Sequence, residues 1–157
     1  MNRNISWIIL IFYLIINGCT ENDKQSFIKF YRSEELYKVM ELYSIDANHY
    51  YMIIIQDGMC NSCSIENIIE LEKIISSCKE KDFIFINNEK YTLLSEFISS
   101  KKNTTLIKDS LNFVKQYGLR LSKDLIFEIK DNKIVYWNYV TEDNLPSISS
   151  YIKTNCL

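Results

Sequence analysis

Two cysteines three positions apart, in Cys60-Asn61-Ser62-Cys63, are the residues of this chain best suited to chemistry. The C-x-x-C spacing puts both sulfurs on one face of a single turn, where a disulfide between them can form and break. An apolar run, Tyr50-Tyr51-Met52-Ile53-Ile54-Ile55, precedes them, and a helical pattern follows from about Ser64. A strand that delivers two cysteines onto the first turn of a helix favours thiolate over thiol, because the helix N-terminus carries partial positive charge. The thiolate is the nucleophile of disulfide exchange, so Cys60 and Cys63 read as a catalytic redox dithiol. The competing reading is a static local disulfide. A metal centre is not expected. Two thiolates are too few ligands for structural zinc, the single histidine, His49, lies before the strand, and Cys78 and Cys156 are not at ligand spacing. His49 reads as a surface loop residue, and no cofactor is called for.

The chain start bears on where that chemistry would run. Asn2-Arg3-Asn4 is a short, positively charged region, and Ile5 to Ile16 is an apolar run interrupted only by Ser6. A membrane-spanning helix needs roughly 20 apolar residues, so this run is short for a span and fits a signal segment. It ends in Ile16-Asn17-Gly18-Cys19, which resembles the lipobox of bacterial lipoproteins, with Asn17 a less usual residue at its position. That resemblance implies cleavage before Cys19 and a lipid on its sulfur. An ordinary secretory signal or an uncleaved anchor is the alternative, and both readings put the domain outside the cytoplasm; the lipobox resemblance implies the bacterial cell envelope, with the domain in the periplasm or at the cell surface. The expected organisation is a signal peptide over 1–18, a polar lipidated tether over 19–26, and one domain over 27–157. Multiple acyl chains anchor a protein stably where one would be marginal.

Composition agrees with a single domain that buries a real core. Apolar residues make up 47% of the chain and aromatics 13%, which argues against disorder. The net charge of −2, without a basic stripe, gives no reason to expect nucleic acid as a partner. There are only three glycines and one proline, so tight turns fall to Asn and Asp. Setting Cys19 aside leaves an even set of cysteines, enough for up to two disulfides.

The elements that must position the dithiol follow from periodicity. Ser26 to Tyr31 alternates loosely and reads as a first strand. Ser33 is expected to cap a helix over Glu34 to Tyr43, with Leu36, Val39, Met40 and Tyr43 on one stripe. Tyr50 to Gln56 reads as a strand buried on both faces. Ile65 to Cys78 reads as a helix whose stripe is Ile65, Ile68, Ile69, Leu71, Glu72 and Ile75. Phe83 to Asn87 is a second buried strand, Tyr91 to Ser100 a helix, Thr104 to Lys108 a short strand, and Ser110 to Tyr117 a short helix closed by Gly118. Leu125 to Lys130 and Ile134 to Tyr139 form a hairpin across Asp131-Asn132-Lys133. Glu142 to Lys153 is a last helix with Pro146 in its first turn. Strands alternating with helices imply an α/β fold whose sheet is mixed, parallel except for the late hairpin.

This order, with C-x-x-C after the central strand, resembles the thioredoxin fold. The stretch Tyr117 to Tyr136 is similar to the corresponding segment of membrane-anchored thioredoxin-like reductases of the TlpA and redoxin groups. The resemblance covers roughly residues 45 to 153. It implies a thioredoxin-like central mixed sheet with helices on both faces, a Cys60 nucleophile and a Cys63 resolver. It also implies protein thiols and disulfides as substrates and a redox partner protein. Three positions depart from the family pattern. Met59 stands where the family usually has an aromatic residue, Asn61-Ser62 fill the motif, and Lys123 occupies the place of the cis-proline that faces the dithiol. Lys123 near Cys60 would lower the pKa of its thiol by direct charge. The family's buried acid falls at about Ile54, with Asp57 close by. In such a fold the helix after the dithiol and the last helix share a face, which makes Cys78 and Cys156 candidates for a structural disulfide, with two free thiols as the alternative. The expected activity is thiol–disulfide exchange; the other reading is a redox-inactive lipoprotein that uses the fold as a binding module.

Overall fold

In the computed structural model, the strand ahead of the dithiol is buried along almost its whole length. The structure describes residues 30–45, 48–56, 61–78, 80–87, 103–119 and 122–156, with the backbone alone over 61–65. The elements in chain order are α1 (Ser33–Leu42), β1 (His49–Ile54), α2 (Asn61–Ser76), β2 (Asp82–Asn87), β3 (Thr104–Lys108), α3 (Phe113–Gln116), β4 (Leu125–Lys130), β5 (Lys133–Tyr139) and α4 (Leu145–Asn155). The described strands form one five-stranded sheet in the order β3-β2-β1-β4-β5. β1 pairs parallel with β2, and β2 parallel with β3, while β1–β4 and β4–β5 are antiparallel.

The two-residue period of β1 divides the core. Tyr51 and Ile53 pack with Ile68, Leu71, Ile74 and Ile75 of α2 and with Leu145, Ile148 and Ile152 of α4. Tyr50, Met52 and Ile54 pack on the other face with Leu36, Val39 and Met40 of α1 and with Val114 of α3. A strand with helices on both sides has no solvent face, which is why its sequence runs apolar without alternation.

Several expectations shift. Ser26–Lys29 of the first strand lie outside the described residues. Phe30 is not in a strand but is a buried wedge, with ring centroids 4.9 Å from Phe127 and 5.1 Å from Trp137. Ser33 does not cap α1. Arg32 holds the cap position and the Ser33 N–H donates to Phe30 O at 3.2 Å, which takes Ser33 inside the helix. On α2, Ile69 is 38% exposed while Ile74 is buried, because the inward stripe runs through Ile68, Leu71 and Ile75 and Ile69 lies about 100° from Ile68. Glu72 belongs to the inward stripe and accepts a hydrogen bond from Ser76 Oγ at 2.7 Å. The expected helix over Tyr91 to Ser100 lies outside the described residues.

The helix expected over Ser110 to Tyr117 shrinks to α3. Asn112 is left-handed at φ 56°, so the helix cannot extend backwards, and the Asp109 carboxylate accepts the N–H groups of Phe113 and Val114 at 2.6 and 3.0 Å. Gly118 closes it at φ +70°. The hairpin turn has two residues, Asp131 and Asn132, both at positive φ, closed by the Lys130–Lys133 pair. Asn and Asp tolerate that region better than other side chains, so the turn forms without glycine. α4 begins at Leu145 rather than Glu142, because the Thr141 carbonyl accepts the N–H groups of Asn144 and Leu145 in a preceding turn.

Candidate functional site

β1 ends at the carboxyl edge of the sheet, and α2 starts at Asn61, about three residues earlier than the sequence suggests. The Cys63 backbone therefore lies in the first turn of a 16-residue helix, where unpaired N–H groups concentrate. No acidic residue occupies that turn to offset the partial positive charge. Cys60 and Cys19 lie outside the described residues, as does the Cys63 side chain.

The end of β1 is fixed by buried polar contacts. Ile55 N–H donates to Ile86 O at 3.0 Å, which extends the parallel pairing past the strand. Gln56 is buried; its backbone N–H donates to Asp124 Oδ1 at 2.7 Å and its side-chain Nε2 to Leu119 O at 3.1 Å. Asp124 is itself buried, immediately ahead of β4, and its carbonyl accepts Val140 N–H at 2.9 Å. A buried carboxylate thus stands at this edge, contributed by the residue just ahead of β4 and not by β1. The sequence offered no sign of it, since Ser122-Lys123-Asp124 reads as an ordinary polar loop. Lys123 is exposed, with Nζ 5.9 Å from the centre of the Tyr139 ring.

The opposite end of the sheet is stapled. Cys78, just past α2, and Cys156, at the end of α4, are joined by a disulfide with Cα atoms 5.4 Å apart. Beside it runs a polar chain that the sequence did not suggest. Lys81 Nζ lies 2.7 Å from His49 Nδ1, His49 Nε2 lies 2.5 Å from Glu128 Oε1, and Tyr151 O–H donates to Glu128 Oε2 at 2.6 Å. An ammonium only donates, so Nδ1 accepts from Lys81 and the ring proton sits on Nε2, facing the carboxylate. His49 is therefore the first residue of β1 and half-buried, not a surface loop residue. Burial holds the Tyr151 hydroxyl well above the usual phenol range, reinforced by its bond to Glu128. Asn103 secures the connection by donating to the carbonyls of Cys78 and Lys81 at 2.9 and 2.8 Å.

No protein-family model matches this sequence, and no curated protein matches it either. Solved structures do match. One is a secreted Mycobacterium tuberculosis disulfide oxidoreductase described as homologous to E. coli DsbE, with a TM-score of 0.50 and 13% identity over 71% of this chain and 85% of that one. The fold is thioredoxin-like. Another is BsSco, of the Sco family of cytochrome c oxidase assembly proteins, at TM-score 0.46 and 13% identity, covering 73% of this chain and 84% of that chain. Within the thioredoxin-like sheet, β1 is the central strand, and the helix that leaves its carboxyl end carries the second motif cysteine. The position aligned with the family's buried acid, Ile54, is apolar and buried here, and the carboxylate nearest the end of β1 among those described is Asp124.

Proposed function

We propose that this chain is a lipid-anchored, extracytoplasmic thiol–disulfide oxidoreductase acting on protein disulfides and dithiols through Cys60 and Cys63, with Cys19 as the lipidated residue. The observation that carries the reading is that α2 begins directly after Cys60 at the carboxyl edge of the central strand. Cys63 thereby falls in a helix first turn without acidic residues, which supports the reading. A thiolate is favoured there by the helix dipole and by nearby backbone N–H groups. The secreted disulfide oxidoreductase with the same fold supports the same chemistry.

In the reductive direction the Cys60 thiolate attacks one sulfur of a substrate disulfide. The substrate S–S bond breaks, its distal sulfur leaves as a thiolate, and a Cys60–substrate disulfide forms. Cys63 then attacks Cys60 Sγ, releasing the second substrate thiolate and leaving Cys60 and Cys63 joined. The substrate gains two electrons and the motif loses two, and a redox partner protein returns them. Oxidation is the same sequence reversed. The direction is set by the reduction potential of the motif against its surroundings.

The test is the equilibrium potential of the Cys60–Cys63 pair, read by differential alkylation and peptide-resolved mass spectrometry across a graded thiol buffer. Peptide resolution separates this pair from Cys78–Cys156. A value between about −120 and −270 mV fits exchange catalysts, the less negative end an oxidant and the more negative end a reductase. A value below about −300 mV marks a structural bond and leaves the fold as a binding module.

A further inference from the structure

At the sheet end where β1 hands over to α2, the described side chains close into a ring. Its floor is Gln56, held by Asp124 on one side and the Leu119 carbonyl on the other. Beside Leu119, the Arg32 guanidinium lies on Gly118, so close that a Cβ there would stand 2.5 Å from Nη1. The same guanidinium carbon is 5.6 Å from the centre of the Tyr31 ring. The Tyr31 hydroxyl meets that of Tyr139 at the end of β5. The Lys123 ammonium stands 5.9 Å from the Tyr139 ring centre, and Lys123 precedes Asp124, which returns to Gln56. The circuit runs cation, tyrosine, tyrosine, cation and closes through the buried Gln56.

This rim faces solvent. Tyr31 is 60% exposed, Lys123 is exposed, and Arg32 and Tyr139 are half-exposed. The one ion pair between permanently charged side chains among the described residues is Lys73–Glu70, Glu128 being held by hydrogen bonds from His49 and Tyr151. Arg32 and Lys123 therefore have no carboxylate partner among those residues, although Glu34 and Glu35 open the helix that follows Arg32. Two cations without a carboxylate partner among the described residues, each against a tyrosine ring, stand out on a chain of net charge −2.

We propose that this rim docks an acidic polypeptide segment flanking the cysteine on which Cys60 and Cys63 act. The inference rests on the proposed exchange chemistry and adds a substrate class to it. An extended segment presents same-face side chains about 7 Å apart, which lets successive carboxylates along it meet separate cations. Two cations are few for a lipid surface, where basic clusters carry about four to eight.

The test compares three peptides, each with one cysteine in a mixed disulfide with a chromophoric thiol. They differ only in whether the flanking residues are Asp and Glu, Lys, or Ser. The full-length chain is reduced and its second-order exchange rate with each is measured. The acidic peptide should exceed the basic one by about fivefold, the combined effect of two exposed ion pairs, and high salt should shrink the ratio. In Arg32→Glu/Lys123→Glu the ratio should invert, with circular dichroism checking the fold and the single variants standing in should the double variant not fold. Equal rates for acidic and basic peptides overturn the docking surface while exchange itself stands. A ratio that persists in folded variants overturns it too, and if those variants also lose sedimentation with phosphatidylserine vesicles the rim is lipid-facing. Absence of exchange with all three peptides removes the oxidoreductase reading, and this inference with it.

Discussion

Removing the Cys78–Cys156 bond offers a direct measure of what holds the sheet's far end together. The bond closes a loop with a sequence separation of 78. In the chain-entropy treatment, a loop of that length restricts the unfolded chain by about 4.5 kcal/mol at 25 °C, and measured values for such bonds run about 2–4 kcal/mol. At an unfolding entropy of about 2.1 cal/mol/K per residue over roughly 130 residues, a loss of about 2–4.5 kcal/mol lowers the melting temperature by about 7–17 °C. The measurement is thermal unfolding by circular dichroism, run in a Cys60→Ser/Cys63→Ser background so that only one bond is in play. Oxidised and fully reduced samples of that protein are compared, and then Cys78→Ala/Cys156→Ala. Cys78 is buried, so its truncation adds a small packing loss that the reduced sample does not suffer. Reduction alone should therefore give most of the shift. The single substitutions should each cost nearly as much as the pair, because both break one bond. A reduction-induced shift under about 2 °C would refute the reasoning, showing that the loop is no more restricted in the unfolded chain with the bond than without it.

Cys63→Ser should arrest exchange at the Cys60–substrate mixed disulfide, visible as an adduct of the substrate's mass, whereas Cys60→Ser should give no adduct. Tyr50 and Tyr51 are fully buried and desolvation raises both hydroxyls above the ordinary value of 10.0. Above pH 10 the unfolded chain loses these protons and the folded one keeps them. The stabilisation is therefore whole below pH 10 and falls beyond it by up to about 1.4 kcal/mol per pH unit for each tyrosine. Absorbance at 295 nm should show part of the tyrosine signal appearing only with unfolding, and smooth titration of every tyrosine near pH 10 would contradict this. Glu128→Gln keeps the shape but weakens the acceptor for His49 and Tyr151, and a loss of about 1–3 kcal/mol in urea unfolding is expected. Gly118→Ala should cost about 1–2 kcal/mol through its φ of +70°, the Arg32 tip being free to shift aside.

How far the fold was legible in the sequence follows from which signals are local. The buried strands announce themselves because a strand covered on both faces carries only apolar residues, and the hairpin because Asp131-Asn132 is chemistry that a tight turn requires. The errors on the helices are local. Ser33 fits a cap, but a turn set from Phe30 takes it inside the helix, and Ile69 fits a stripe but lies too far round the helix from Ile68 to face inward. The polar contacts at both ends of the sheet were invisible because their partners are remote in sequence. Asp124 meets Gln56 across 68 residues, and Glu128 meets His49 across 79. No spacing rule connects residues so far apart; the antiparallel register of β1 with β4 does. The sequence could nominate Cys60 and Cys63 because the motif is contained in one turn, but it could not nominate the carboxylate that secures the end of β1.

If the motif exchanges disulfides as proposed, the two cysteine pairs have separate tasks, and α2 is the reason. The helix carries Cys63 in its first turn and ends just before Cys78. At 1.5 Å per residue the two positions stand about 20 Å apart, far beyond the roughly 7 Å Cα separation within which sulfurs can bond. The staple is therefore insulated from exchange with the motif inside one folded molecule. The effect we expect it to have on the motif is mechanical. The Cys63 backbone lies in the first turn of a rod whose other end is bonded to α4 and whose flank packs on β1. Positioning within about half an ångström is what a reactive constellation demands of its support. A loosened rod should thus degrade exchange before it unfolds the protein. Reducing or deleting Cys78–Cys156 should lower the exchange rate at temperatures where circular dichroism is still fully native, and a rate that follows the folded fraction alone would show that the staple serves stability and nothing else.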